Sequence, residues 1–415
     1  MRMLILPAMA ILLASPVTAQ RSARPQPSQP RVTAAERAAH ERMIVLDTHL
    51  DVAERFDDGR WDFGQRHVYA EDGSQVDLPR MREGGMDGGF FVIYTAQGPL
   101  TAEGYRDARD RALVRAAAIR RVIGENRATA DLALTADDAE RSARAGRRFF
   151  FISMENGWPL GEDLTLLSTF YKLGLRLAGP VHSRDNQLAD SATGQHRWGG
   201  LSPLGRQWVA EMNRLGIIID GSHSSDQTFD DMLRLSRVPI ILSHSGPKAI
   251  FNHPRNLDDE RMRQLAAHGG VMFLNSIFMV QHDGSDERDR INERHKNWAR
   301  LNPAERRQLV ADTAALNRLR PYTTADFDLY MRSMLHAIRV MGVDHVGLGA
   351  DWDGGGGVIG MDDVTALPRI SARLRREGFS DADIAKVMGG NLLRVMRQVQ
   401  AGAARQGFPL GSRRG

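Results

Sequence analysis

Met43-Ile44-Val45-Leu46 runs directly into Asp47-Thr48-His49-Leu50-Asp51, a short apolar run that ends in side chains able to bind a cation. The same grammar recurs along the chain. Met43–Leu46, Gly89–Tyr94, Phe149–Ser153, Leu175–Gly179, Ile217–Ile219, Pro239–Leu242, Gly270–Leu274 and His345–Gly349 read as strands. Several are nearly continuous apolar runs, such as Phe149-Phe150-Phe151-Ile152, as a parallel sheet covered on both faces requires. Longer amphipathic stretches separate them, for instance Tyr105–Glu125 and Asp258–His268. Eight strands alternating with helices predict a (β/α)8 TIM barrel, with an open doubly wound sheet as the rival.

The endings of the strands favour the barrel. The third runs into Glu155, the fourth into His182 and the fifth into Asp220-Gly221-Ser222-His223. The sixth ends at Ser243-His244-Ser245, the seventh at Asn275 and the eighth at Asp351-Trp352-Asp353-Gly354. Barrel active sites are assembled at the C-terminal ends of the strands, where these side chains collect.

His49 and Asp51 can reach one ion from a single strand, because alternate residues point the same way. His223 and His244 end adjacent strands, and each is followed by Ser. Neutral imidazoles suit zinc and related divalent metals. Glu155 lies between these groups and has two oxygens with which to bridge two ions. A bridged pair about 3.5–4 Å apart can hold and ionise a shared water. No Lys stands at a strand end, so Glu155 is preferred to a lysine-derived bridge. Singly, any of these histidines reads as a hydrogen-bonded structural residue; at matching strand ends they reinforce one another.

Three further residues suit the chemistry around such a centre. Asp351 can carry a proton from a water to a leaving group, whereas a turn-stabilising role fits Asp353 better. His182 can donate a hydrogen bond to a developing oxyanion. Arg255, in Asn252-His253-Pro254-Arg255-Asn256-Leu257, can grip a carboxylate in bidentate fashion, with a surface ion pair as the ordinary alternative.

Length and composition are compatible with one large domain: 415 residues, 42% hydrophobic and 26% charged. At the N-terminus Arg2 precedes an apolar run from Met3 to Ala14, and Pro16-Val17-Thr18-Ala19 offers a small-residue cleavage site. Residues 1–19 therefore read as a signal peptide, too short to span a bilayer. Residues 20–33, rich in Pro, Ser and Gln, read as a disordered leader; 34–400 as the barrel domain; 401–415 as a flexible tail. The chain has no cysteine, and its last residues carry no hydrophobic tail. A periplasmic protein without a membrane anchor is expected. The net charge of +4 arises from 55 basic and 51 acidic residues spread along the chain, without the dense basic blocks that bind nucleic acid. A charged, helical insertion at 283–320 falls on the catalytic face. It would cap the pocket or meet a partner subunit in a homodimer; a solvated decoration fits the sequence equally.

Taken in order, Asp47-Thr48-His49-Leu50-Asp51, Glu155, Asp220-Gly221-Ser222-His223, Ser243-His244-Ser245, the run from His345 to Gly354, and Gly389-Gly390-Asn391-Leu392-Leu393 resemble the membrane (renal-type) dipeptidases over roughly residues 40–398. The resemblance implies a barrel with a binuclear zinc site. His49 and Asp51 would hold one ion, His223 and His244 the other, and Glu155 would bridge them. It further implies that His182 steadies the tetrahedral intermediate, that Arg255 receives the dipeptide carboxylate and that Asp351 is the acid/base. Hydrolysis of dipeptides by a metal-bridging hydroxide follows, with a D-residue tolerated on the C-terminal side. One departure concerns the substrate pocket: a tyrosine of the animal members, after the seventh strand, has only Ser276 or Asn275 as counterpart. The insertion at 283–320 is also longer than theirs. A metal-dependent hydrolase of another small amide, lactone or ester, and a non-catalytic peptide-binding protein, are the competing readings.

Overall fold

Nine parallel strands are present among the described residues, one more than the apolar runs predict. The computed structural model describes residues 31–59, 61–296, 301–405 and 407. The signal-peptide segment and the leader up to residue 30 lie outside the described residues. Thr33 caps the first helix, Ala34–His40, in a capping box with Glu36.

The strands are β1 Leu46–Leu50, β2 Gly88–Tyr94, β3 Ala130–Leu132, β4 Arg148–Glu155, β5 Leu175–Ala178, β6 Ile218–Ile219, β7 Ile241–Ser245, β8 Val271–Leu274 and β9 Val346–Leu348. The unpredicted strand, β3, pairs only with β4 and stands off the main path. At three residues it is too short to give a periodic signal. The other eight form the sheets β1-β2-β4-β5-β6 and β7-β8-β9. Single parallel bridges join these sheets on both sides, Asp220 with Ile241 and Leu50 with Trp352. The result is the closed (β/α)8 barrel rather than the open sheet.

Alternation along β4 sorts its side chains. Phe149 and Phe151 join the cluster that contains Leu46, Phe90, Leu177, Ile218, Ile241, Val271 and Phe273. Phe150 and Ile152 belong to the other cluster, with residues of the surrounding helices. Glu155 shares parity with Phe149 and Phe151, so the period of two carries it to the mouth of the barrel. The final helix, Asn391–Arg405, adds Leu392, Val395, Met396 and Val399 to the inner cluster. It runs past residue 400, where a flexible tail was expected, and Ala403 is fully buried.

Two strands are displaced from their predicted positions, toward the C-terminus. The strand expected at 43–46 is Leu46–Leu50, and the one expected at 239–242 is Ile241–Ser245. Polar residues inside a strand hide it from a hydrophobicity reading, and here they are internally satisfied. Thr48 Oγ1, for example, donates to the carbonyls of Ser243 and Leu348 at 2.6 and 3.1 Å.

The insertion forms two helices, Asp286–Lys296 and Pro303–Leu319, sharing a small core of Ile291, Leu309 and Leu316. It rests on the segment that follows β1: the second helix packs against Tyr69–Asp72, and Arg306 pairs with Asp58. No helix among the described residues is long and apolar enough to cross a membrane.

Candidate metal centre and active site

Strand alternation alone would not bring His49 and His244 to the barrel mouth. Leu46 belongs to the inner cluster and Leu50, of the same parity, to the outer one. Between them the register shifts by one residue: Asp47 pairs with Gly89, but Leu50 with Phe91. The same shift occurs in β7, where Leu242 pairs with Met272 but Ser245 with Leu274. Each is a bulge, which re-aims the side chains beyond it. Through these bulges His49 and His244 join Glu155.

The groups converge closely. Glu155 Oε1 lies 3.0 Å from His223 Nε2 and 3.2 Å from His244 Nε2, and these two nitrogens are 2.9 Å apart. Its other oxygen, Oε2, lies 3.8 Å from His49 Nε2, which is 3.2 Å from Asp51 Oδ2 and 4.0 Å from Asp351 Oδ1. Ligand atoms of Glu155, His182 and His223 also fall within 4.8 Å of one another. All five predicted metal ligands are thus in one place, with Asp351 and His182 beside them.

Backbone strain is concentrated at this rim. His223 and Asp351 both have φ 67°, and Asn156 and Asp353 have 72° and 66°. Non-glycine residues in this region are uncommon and cluster at functional sites. Gly354 approaches so closely that a Cβ there would lie 2.1 Å from Asp51 Oδ2 and 2.2 Å from Asp351 Oδ1. Asp353 is structural, as its sequence suggests: it accepts from Arg55 Nε at 3.0 Å and from the Gln75 backbone at 3.1 Å.

Burial drives every carboxyl here toward protonation and every imidazole toward neutrality. It pushes Glu155 well up, with Asp51 and Asp351 assisting and His49 opposing. Asp351 is pushed up to about 7 by burial, assisted by Asp51 and opposed by His49. His182 falls to about 3 through burial and the charge of Arg255; His223 is lowered for the same reasons, and His244 by burial, His49 and Arg255. At His49 burial is outweighed by Asp51, Glu155 and Asp351, which hold its pKa well above the ordinary value. His49 Nε2 and Glu155 Oε1 are buried without a hydrogen-bond partner. Crowded carboxylates, the neutral imidazoles of His223 and His244, and the unpartnered ligand atoms of His49 and Glu155 fit divalent metal ions, whose positive charge would replace the proton that the carboxylates favour on His49.

The supporting residues were quoted in the sequence but given no role. Asp47 and Asp220 stand two and three residues before His49 and His223. Each closes one of the two bridged seams of the barrel. Asp47 accepts from the backbone N–H of His49 and of Ala350 at 2.9 Å, and Asp220 from those of Ser222 and Ser243 at 2.9 Å. Asp220 also accepts from Ser243 Oγ at 2.5 Å, and Ser243 Oγ lies 2.8 Å from His244 Nδ1. With Ser243 Oγ donating to the carboxylate, His244 Nδ1–H donates to Ser243. The lone pair of His244 is then on Nε2, facing Glu155.

Arg255 is buried, not the surface ion pair that is the default for an arginine. Its Nη2 donates to the His244 carbonyl at 3.1 Å, and its Nε has no partner. No carboxylate of the described residues lies within 4.0 Å of it. Of the two counterparts to the missing tyrosine, Ser276 is used internally: its Oγ donates to Ala350 O at 2.5 Å and accepts from Gly357 N at 2.7 Å. Asn275 is buried with both amide atoms unpartnered.

Known proteins resemble this chain over most of its length. The model of the membrane dipeptidase family, peptidase family M19, matches residues 33–407. The chain is 30% identical to Dipeptidase tcpJ of Claviceps purpurea over 340 residues, covering 80% of this chain and 71% of the relative. It is similar to the crystal structure of the probable dipeptidase PvdM from Pseudomonas aeruginosa, with TM-score 0.76 and 27% identity, covering 89% of this chain and 98% of that one. A metallo peptidase from Rhodobacter sphaeroides, liganded with a phosphinate mimic of the dipeptide L-Ala-D-Ala, matches with TM-score 0.68 and 26% identity over 86% of this chain and 99% of its own. A match spanning nearly the whole barrel, joined to a buried cluster of metal-ligating side chains at its mouth, makes this chain a member of the membrane dipeptidase family, peptidase family M19, and a metallo-dipeptidase.

Proposed function

We propose that the protein is a zinc-dependent dipeptidase, with His49 and Asp51 on one ion, His223 and His244 on a second, and Glu155 shared between them. The observation that carries this reading is the division of Glu155: one oxygen faces His223 and His244, the other faces His49. Two zinc ions held there would supply Lewis acidity toward the attacking water and the scissile carbonyl. Arg255 binds the free carboxylate of the substrate, for which its buried, carboxylate-free guanidinium is suited. His182, held neutral, donates a ring N–H to the oxygen of the carbonyl as it gains charge. Asp351 takes the proton of the attacking water and hands it to the departing amine, so that the C–N bond breaks after the new C–O bond forms. Its place beside His49 and Asp51 puts this carboxylate within reach of both transfers.

Dipeptides are favoured over other amides, lactones or esters because Arg255 presents a buried cation to a free carboxylate. A D-residue on the C-terminal side is included in the proposal, since a family neighbour was crystallised with an L-Ala-D-Ala mimic. The test is a screen of L,L and L,D dipeptides on the zinc-loaded protein. Turnover of both classes is expected; absence of turnover with zinc or manganese would overturn the proposal. Export through residues 1–19 to the periplasm is part of the same reading. N-terminal sequencing of the protein from a periplasmic fraction should begin near Gln20.

A further inference from the structure

A continuous stack of rings links the insertion to Arg255. The Arg255 guanidinium carbon lies 5.2 Å from the centroid of the Phe278 ring. Phe278 stacks on His253 at 4.6 Å and 15° and adjoins His282 at 6.3 Å. His282 stacks on Tyr322 at 4.5 Å and 28°, and the Arg288 guanidinium stands 5.5 Å from the Tyr322 ring. The far end of this ladder is firmly held. Arg288 is buried and clasps the neck of the insertion: it pairs with Asp283 at 3.3 Å and donates to Asn317 Oδ1 at 2.7 Å and Arg320 O at 3.0 Å. The Asp283 backbone N–H donates to Tyr322 O at 3.2 Å. The near end is fixed by Asn256, whose Nδ2 donates to Phe278 O at 2.8 Å, and by His282 Nε2, which donates to Ile277 O at 2.7 Å.

Arg255 needs such support. Burial disfavours this guanidinium; the more distant carboxylates of Glu155, Asp351 and Asp220 favour its charge, while its direct contacts are the hydrogen bond to His244 O and the negative face of an aromatic ring. Phe278 supplies that face. We propose that Phe278 is the positioning residue for Arg255, and that the 283–320 insertion, by clamping Tyr322 and His282 behind it, sets the affinity of the site for a free C-terminal carboxylate. The proposal rests on the reading of Arg255 as the carboxylate-binding group.

Steady-state kinetics of the zinc-loaded full chain on one dipeptide and on its C-terminal amide test it. Wild type should favour the free acid. Phe278→Leu should raise KM for the acid about tenfold, as loss of a desolvated cation–π contact implies, with kcat changed less than about twofold and KM for the amide unmoved. Phe278→Tyr, which keeps the ring, should retain wild-type constants, and Tyr322→Leu should shift KM for the acid in the same direction by a smaller factor. An unchanged acid-to-amide ratio in Phe278→Leu would overturn the proposal, as would an equal loss in Phe278→Tyr. Should Phe278→Leu fail to fold, Tyr322→Leu decides, and an unchanged ratio there overturns the coupling. Wild type that cuts acid and amide equally overturns the reading of Arg255 and this inference with it. Wild type that cuts no dipeptide overturns the dipeptidase reading itself.

Discussion

Glu155 Oε1 lies 3.0 Å from His223 Nε2, while the other oxygen of the same carboxylate is turned toward His49 at 3.8 Å. One side chain therefore contributes to both halves of the cluster. Glu155→Gln keeps its shape but removes the charge and one anionic donor. We expect the metal content to fall below two ions per chain and kcat/KM to drop by more than about 100-fold, beyond the loss typical of an outer supporting partner. Elemental analysis beside kinetics checks this; a variant that retains both ions and full activity would show the carboxylate to be misassigned.

Ser243 carries the link from His244 Nδ1 to Asp220. Ser243→Ala removes it without touching a ligand. Metal affinity should weaken about 10–100-fold, and added zinc should restore activity. Competition with a chromogenic chelator measures the change, and an unaltered affinity would mean that the tautomer of His244 is fixed by other contacts.

Gly354 leaves no room for a side chain against Asp51 and Asp351. In Gly354→Ala the loop must move, taking the Asp351 carboxylate with it. Because displacement of a reacting group by about 1 Å can cost ~100-fold in rate, kcat should fall by one to two orders of magnitude. The melting temperature should change little, since the loop lies at the rim. Parallel kinetics and thermal melts distinguish this from general destabilisation.

Arg255→Ala should raise KM for dipeptides about 10–100-fold, the worth of a charge-assisted hydrogen bond. C-terminal amides should be much less affected. If both substrates lose equally, the guanidinium supports His244 through its carbonyl rather than reading the substrate.

Chelation should destabilise the fold as well as abolish activity. Without a cation, Asp51, Glu155 and Asp351 are left crowded together in a buried cluster. Free metal about 1,000-fold above Kd contributes ~4 kcal/mol to the native state. Scanning calorimetry with and without chelator should show a Tm lower by about 5 °C or more in the stripped protein. Equal melting temperatures would argue that the cluster holds no tightly bound ion.

Much of the barrel was legible because its strands are buried on both faces and read as apolar runs. The strand Arg148–Glu155 shows why: Phe149, Phe150, Phe151 and Ile152 are apolar, and its parity delivers Glu155 to the mouth. Asp47 and Asp220 were less legible. Both appear in the sequence as ordinary strand-end carboxylates, and their seam-closing role depends on strands hundreds and tens of residues away. The three-residue strand Ala130–Leu132 left no signal at all.

The sequence by itself determined the fold class, seven polar strand endings and the set of residues that gather at the candidate metal centre. These follow from local composition, since a buried parallel strand must be apolar and a reactive group must stand where it stops. Tertiary structure decided how the set is aimed. Two one-residue bulges turn His49 and His244 inward against the parity of their strands, because a register shift depends on the partner strand and not on the strand's own residues. It also decided that Arg255 is a buried cation and that the ring of Phe278 lies against it. Such contacts join segments that local sequence cannot relate.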